Sequence, residues 1–215
     1  MTPQEAVLRM RSLADENGVT SAFYDDALDL YKYADQGEKE ICNVLIRVFR
    51  EQRKKDPGYE NPSLSPLITP STINTTAGTI EYSQPGDYME WYSMKYSPNG
   101  GGIFLNATLL PYEEIMQRQG NSLMAGDPTL GQVYAYVAGG KIGVDPAPPA
   151  SVTGGILLRY LAKPAVVTSS STGFTLIGNV HELIPVYGLA MMLIKDSKYE
   201  QATGFLKQFY DGIPV

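Results

Sequence analysis

The chain has 215 residues, 43% hydrophobic and 19% charged. A globular chain of that length buries roughly 70% of its extended surface, as one domain or two small ones. A net charge of −6 argues against a general nucleic-acid-binding surface. The lone Cys42 excludes an internal disulfide and gives no metal pattern; its place in a helical apolar pattern is that of a small buried hydrophobe. No apolar run reaches the ~18–20 residues that a membrane span needs. No signal peptide precedes the first helix, so the expectation is a soluble protein made in a reducing cytosol.

Thr2-Pro3-Gln4-Glu5 is a helix start: a threonine cap, proline at the first helical position and a capping-box glutamate. Asn17-Gly18 ends that helix. A second start lies at Ser21 or Asp25, and Ala27, Tyr31, Ala34, Ile41, Leu45 and Val48 recur at helical steps. Gly37 is expected to split this run in two, because glycine costs about 1 kcal/mol there relative to alanine. Arg47, Arg50, Arg53, Lys54 and Lys55 crowd the end of the run, and Asp56-Pro57-Gly58 stops it.

Residues 59–78 are rich in Pro, Ser, Thr and Asn and read as an extended arm or loop. Strands follow: one near Ile80 and Tyr82, a turn at Gln84 to Asp87, a run from Tyr88 to Tyr96 with Trp91 and Met94, a loop from Ser97 to Gly102, and a strand from Ile103 to Leu109. Pro111 to Gln119 reads as a short helix with Glu113 and Glu114 in its first turn. The stretch from Gly126 to Ala165 carries the clearest hairpin. Two β-rich runs are joined by Gly139-Gly140, with Val133, Ala135 and Val137 on one face and Tyr134 and Tyr136 on a polar, exposed one. Pro146, Pro148 and Pro149 end the second run, and Ile156 to Ala162 forms a third. Val167 to Gly173 reads as a flexible loop. One long closing helix begins past Asn179, with a stripe that includes Val180, Ile184, Tyr187, Met191, Ile194, Ala202 and Phe209.

The fold class expected is α+β. Residues 1–58 and 179–215 form a helical bundle, 59–78 an arm, and 79–178 an antiparallel β domain with a helix near 111–119.

Catalytic patterns are missing. Ile142 stands where a Walker loop needs Ser or Thr, and neither a nucleophile elbow nor a dinucleotide fingerprint occurs. The one histidine, His181, sits where a helix begins and reads as a capping or packing group. Asp25/Asp26 and Glu113/Glu114 are sequence neighbours that point apart, as caps and solvated faces do. The basic residues from Arg47 to Lys55 are a weak candidate for DNA or phosphate contact, against a solvated helix end complementing its dipole. No cofactor, metal or catalytic residue is expected. Two other classes stay open: a hydrolase whose carboxylates converge only in the fold, and a glycan- or protein-binding β module with Trp91, Tyr92 and Tyr96 as a stacking platform.

Four residue groups carry a family resemblance. They are Tyr33-Ala34-Asp35-Gln36-Gly37-Glu38-Lys39-Glu40-Ile41 in the N-terminal helices; Tyr82-Ser83-Gln84-Pro85-Gly86-Asp87-Tyr88; the order Gly126-Asp127-Pro128, strand, Gly turn, Ile142 to Pro148, Leu158-Arg159-Tyr160; and the closing helix. In that order they resemble the head-to-tail adaptors of tailed bacteriophages, of the tail tubular protein A type. Gln84 stands where that family usually has leucine, and the stretches 59–78 and 167–173 depart from its pattern. The resemblance implies a virion protein of the neck, made in the host cytoplasm. It implies a homo-oligomeric ring, typically dodecameric, that joins the portal protein to tail or nozzle proteins and lines a channel. DNA would pass that channel without sequence-specific binding, and no membrane is involved. Ring or partner contacts are expected at Tyr59, Leu64, Leu67, Ile68, Trp91, Tyr92 and Tyr96.

Overall fold

The computed structural model describes residues 1–98, 102–119, 126–127, 131–176 and 179–214. They form two compact units, one of residues Met1–Leu67 with Lys163–Val215 and one of Ile68–Ala162.

The first unit is helical. Helix α1 (Pro3–Glu16) starts at the expected capping box: Thr2 Oγ1 accepts from the Glu5 N–H (3.2 Å), and Glu5 accepts from the Thr2 N–H (2.6 Å). It ends in a Schellman turn. Val19 N–H reaches back to Ala14 O (2.8 Å), and Gly18 supplies the left-handed residue at φ +69°. A short 3-10 turn (Ser21–Phe23) and a π turn (Asp26–Leu30) follow, and Asp25 caps the second by accepting from Ala27 and Leu28 N–H (2.8 Å each). Helix α2 (Tyr31–Lys55) then runs unbroken through Gly37, contrary to the expected split. The reason is packing. A Cβ at Gly37 would lie 3.3 Å from the Tyr187 ring, so the glycine trades helix propensity for close approach of two helices.

The expected single closing helix is two, α4 (Ile184–Lys195) and α5 (Tyr199–Gly212). Between them Ser197 adopts φ +62°, Lys198 N–H bonds Leu193 O (2.8 Å) and Ser197 N–H bonds Ile194 O (3.0 Å). This is the α1 ending again, with serine in place of glycine, and serine at that position gives no sequence signal. Helix α4 is buried around most of its girth: Ile184, Pro185, Gly188, Leu189, Ala190, Met192 and Leu193 are all inside. It packs on α1, α2 and α5. A Cβ at Gly188 would fall 2.3 Å from Met10 Sδ of α1.

The stretch 59–78 is not an arm. Pro62–Leu67 is a 3-10 turn with Leu64 and Leu67 buried, and Ile68–Thr75 is strand β1. An edge strand needs only one weakly apolar face, which β-branched Ile and Thr supply without an obvious hydrophobic run. Pro70 stands within it, as proline in a sheet does at edges.

The second unit holds β1 with β2 (Glu81–Ser83), β3 (Tyr88–Tyr96), β4 (Leu105–Asn106), β5 (Thr108–Leu109), helix α3 (Tyr112–Gln119), β6 (Tyr134–Ala138), β7 (Lys141–Asp145) and β8 (Val152–Ala162). They make two four-stranded sheets, β1-β8-β3-β4 and β2-β7-β6-β5, antiparallel except for the parallel pair β5–β6. The expected strand from Ile103 to Leu109 is thus divided: β4 pairs with β3, and β5 pairs with β6 in the other sheet. The hairpin forms as the glycines predict, with Gly139 at φ +56° and Gly140 at +75°, and Ala138 facing Lys141. Strand β8 crosses to the centre of the other sheet, between β1 and β3. One apolar core joins both sheets, with Trp91, Met94, Tyr96, Ile156, Leu158 and Tyr160 from one and Val133, Ala135, Ile142 and Val144 from the other.

The tyrosine face of the hairpin is covered, not exposed. Tyr112 of α3 meets Tyr136 edge-on (5.1 Å between centroids), Arg118 lies over the Tyr134 ring (4.6 Å), and Ile115 is fully buried. N- and C-terminal helices together with a mainly antiparallel central sheet part make the fold α+β, as expected. Parts of the Ser97 to Gly102 loop and Pro128 of the Gly126 motif lie outside the described residues.

Tyr136 faces Gly143 across the hairpin, and a Cβ there would sit 2.0 Å from its ring. Gly143→Ala should therefore lower stability by about 1–3 kcal/mol through overpacking. Urea denaturation checks this: the midpoint should fall at constant slope, and an unchanged midpoint would show the ring is not seated on the glycine.

Candidate functional site

The seven residues expected to meet partners divide by burial. Leu64 and Leu67 are inside the helical unit, and Trp91 and Tyr96 inside the sheet core, with the Tyr96 hydroxyl donating to Pro146 O (3.0 Å). These four correct the expectation, because a side chain consumed by its own core has no surface to offer. Tyr59, Ile68 and Tyr92 are half-buried, and Tyr59 packs on Phe49 with centroids 6.2 Å apart. With Trp91 and Tyr96 enclosed, the three-ring stacking platform does not exist.

The basic end of α2 is real and mostly solvated. Arg47, Arg50, Lys54 and Lys55 are exposed, while Arg53 is turned inward. Its guanidinium lies over the Phe49 ring (4.6 Å), and its Nε donates to Tyr59 O (3.1 Å), which fastens the returning chain to the last helical turn. Lys54 pairs with Glu51 (2.7 Å). Arg47, Arg50 and Lys54 share one face at steps of three and four, close to the negative end of the helix dipole.

The acidic pairs serve local structure. Asp25 caps the π turn, and Asp26 takes the Arg11 guanidinium (2.5 Å). Glu114 pairs with Arg118 (2.9 Å), and Glu113 is exposed. His181 lies in a 3-10 turn (Asn179–Leu183) against Phe174 (5.1 Å), its Nε2 bonded to the Leu176 carbonyl. Burial holds its pKa below the ordinary histidine value, so it is neutral at neutral pH. The Cys42 thiol is buried and its pKa pushed up to about 12, which removes it as a nucleophile. Among the described residues no group of three or more His, Cys, Asp or Glu could hold a metal, and no helix is long and apolar enough to cross a membrane.

One buried carboxylate escaped the sequence reading. Glu38 of α2 is 1% exposed. Its Oε1 accepts from Leu176 N–H (2.8 Å), and Oε2 has no partner among the described residues. Desolvation raises its pKa. One turn earlier, Asp35 accepts from Val167 N–H (3.1 Å) and pairs with Lys39 (2.6 Å). Two carboxylates of α2 thus tie down the segment 163–176. The serine-threonine loop expected to be flexible lies in this segment. It is closed by its own turn (Ser171 N–H to Thr168 O, 3.0 Å) and held by Gln4 Nε2 on Ser169 O (2.9 Å). A lone buried glutamate among helix-surface charges has no distinguishing spacing, so only the fold reveals it.

Residues 1–214 match the family model described as SU10 adaptor protein. The chain belongs to the SU10 adaptor family. No curated protein matches it. The expected phage adaptor is borne out at this level, and the family points to a structural role. In this adaptor the motif from Tyr33 to Ile41 carries the Asp35 and Glu38 anchors.

Because the folded-state pKa of Glu38 is raised, its contribution is full while the carboxyl stays protonated and is lost as pH rises through the raised value. Calorimetry should find Glu38→Gln more stable than the parent at about pH 8 and level with it at about pH 4. Parallel curves at both pH values would show that the carboxylate is solvated.

Proposed function

We propose that this adaptor is a structural virion protein of the neck, forming a ring that joins the portal to the tail or nozzle proteins while DNA passes through its lumen. The single observation that carries the proposal is the family match over residues 1–214. The order of motifs resembling the tail tubular protein A type supports a dodecameric ring. Such a ring needs a heterologous interface whose rotation closes. A net charge of −6 supports a lumen along which phosphates slide without being held. The local employment of Asp25, Asp26, Glu114 and His181 in caps, ion pairs and turns favours mechanical work over chemistry. On this reading the protein is made in the host cytoplasm, takes its place in the particle and needs no cofactor.

Mixing the purified chain with the portal protein of the same phage tests this. Sedimentation and negative-stain imaging should show a ring of copies seated on the portal. A chain that stays monomeric with portal and tail proteins present, or is found in the particle away from the neck, overturns the proposal.

A further inference from the structure

Two of the most exposed large apolar side chains belong to one braced turn of the helical unit: Phe23 (83% exposed) and Leu28 (76%). Arg11 donates to Ser21 O (2.7 Å), Tyr24 O (2.9 Å) and Asp26 Oδ1 (2.5 Å), while Asp15 accepts from Ser21 N–H (2.9 Å). Tyr24 is turned inward, its hydroxyl donating to Asp196 (2.7 Å), and this leaves Phe23 outside. Asp25 fixes the N–H groups of Ala27 and Leu28. The two exposed side chains therefore stand on a turn already held in shape, so little ordering entropy is lost when it docks. Its rim is acidic: Asp15, Asp25, Asp26, Asp29 and Asp196 outnumber Arg11, Lys32 and Lys195.

The other end of α2 has the opposite sign: Arg47, Arg50, Arg53, Lys54 and Lys55 outnumber Glu51, Asp56 and Glu60. Arg47, Lys54 and Lys55 are exposed on the last turns of that helix, and half-buried Tyr59 packs on Phe49, over which the Arg53 guanidinium lies. Helix α2 has 25 residues, a rod about 37 Å long, so the two ends cannot meet within one molecule. We propose that the Phe23–Leu28 turn of one copy docks on the basic, aromatic end of α2 of a second copy. The occupant follows from charge: an acidic apolar knob fits a cationic surface with an aromatic floor, and the chain carries one of each. The contact is head-to-tail, hence heterologous, and it rests on the ring reading above by supplying that ring's repeating interface.

The test uses the full chain with the portal protein. Phe23→Asp with Leu28→Asp removes the knob; Arg47→Glu with Lys55→Glu reverses the other end. All four positions are exposed, and unchanged thermal midpoints check the fold. Each double variant alone should self-associate more than about tenfold more weakly than the parent. Mixed in equal amounts, they should form a one-to-one pair that grows no further, because only one intact knob and one intact basic end remain. A parent that assembles while both variants assemble equally well, or a mixture that stays as separate chains, overturns this contact and leaves the ring reading standing. A parent that forms no oligomer even with the portal overturns the ring reading and this contact with it.

Discussion

The helical unit depends on close approach at two glycines. Gly188 lets α4 settle against Met10 of α1, and Gly37 lets α2 settle against Tyr187 of α4. Helix α4 is apolar around most of its girth, so it is stable only when enclosed. Its partners α1 and α2 lie on the far side of the sheet unit in the chain. The helical unit therefore cannot close until the sequence has run through Ala162 and returned, and its core is made of non-local contacts. The sheet unit is contiguous in sequence, and its first and last strands pair side by side, with Ile68 facing Leu161.

Tyrosine is the side chain that makes the sheet unit work. The rings of Tyr82, Tyr96, Tyr136 and Tyr160 are buried, and each hydroxyl reaches a partner: Thr79 O (2.7 Å), Pro146 O (3.0 Å), Glu81 (2.7 Å) and Asp87 (2.8 Å). A ring supplies area, and its oxygen pins the neighbouring turn or strand, which phenylalanine cannot do. Burial raises the pKa of all four, so they stay neutral donors at any physiological pH. The chain has 15 tyrosines against 6 phenylalanines, and these four serve its internal architecture.

What the sequence disclosed was local. The Thr2 box, the Gly139-Gly140 turn, the Asp25 cap and the α+β class each depend on chemistry within a few residues. The misses have tertiary causes. Gly37 looked like a break because its neighbour Tyr187 is 150 positions away in the chain. Ser197 holds a left-handed angle that glycine would have advertised. Strand β1 is polar because only one side of it is covered. For the site, the basic end of α2 was legible as a run of charge. The burial of Leu64, Leu67, Trp91 and Tyr96 was not, since nothing in composition separates a ring that fills a core from one that meets a neighbour. The knob at Phe23 and Leu28 was equally invisible, because exposure is a property of the fold.

Pro70 gives the sheet unit a property that none of its neighbours could. It carries no backbone N–H, so β1, an eight-residue strand at the edge of its sheet, is one donor short. Proline on an edge strand blunts pairing with a foreign chain. A strand edge blunted in this way leaves recognition to side chains, which can tell the right neighbour from the wrong one.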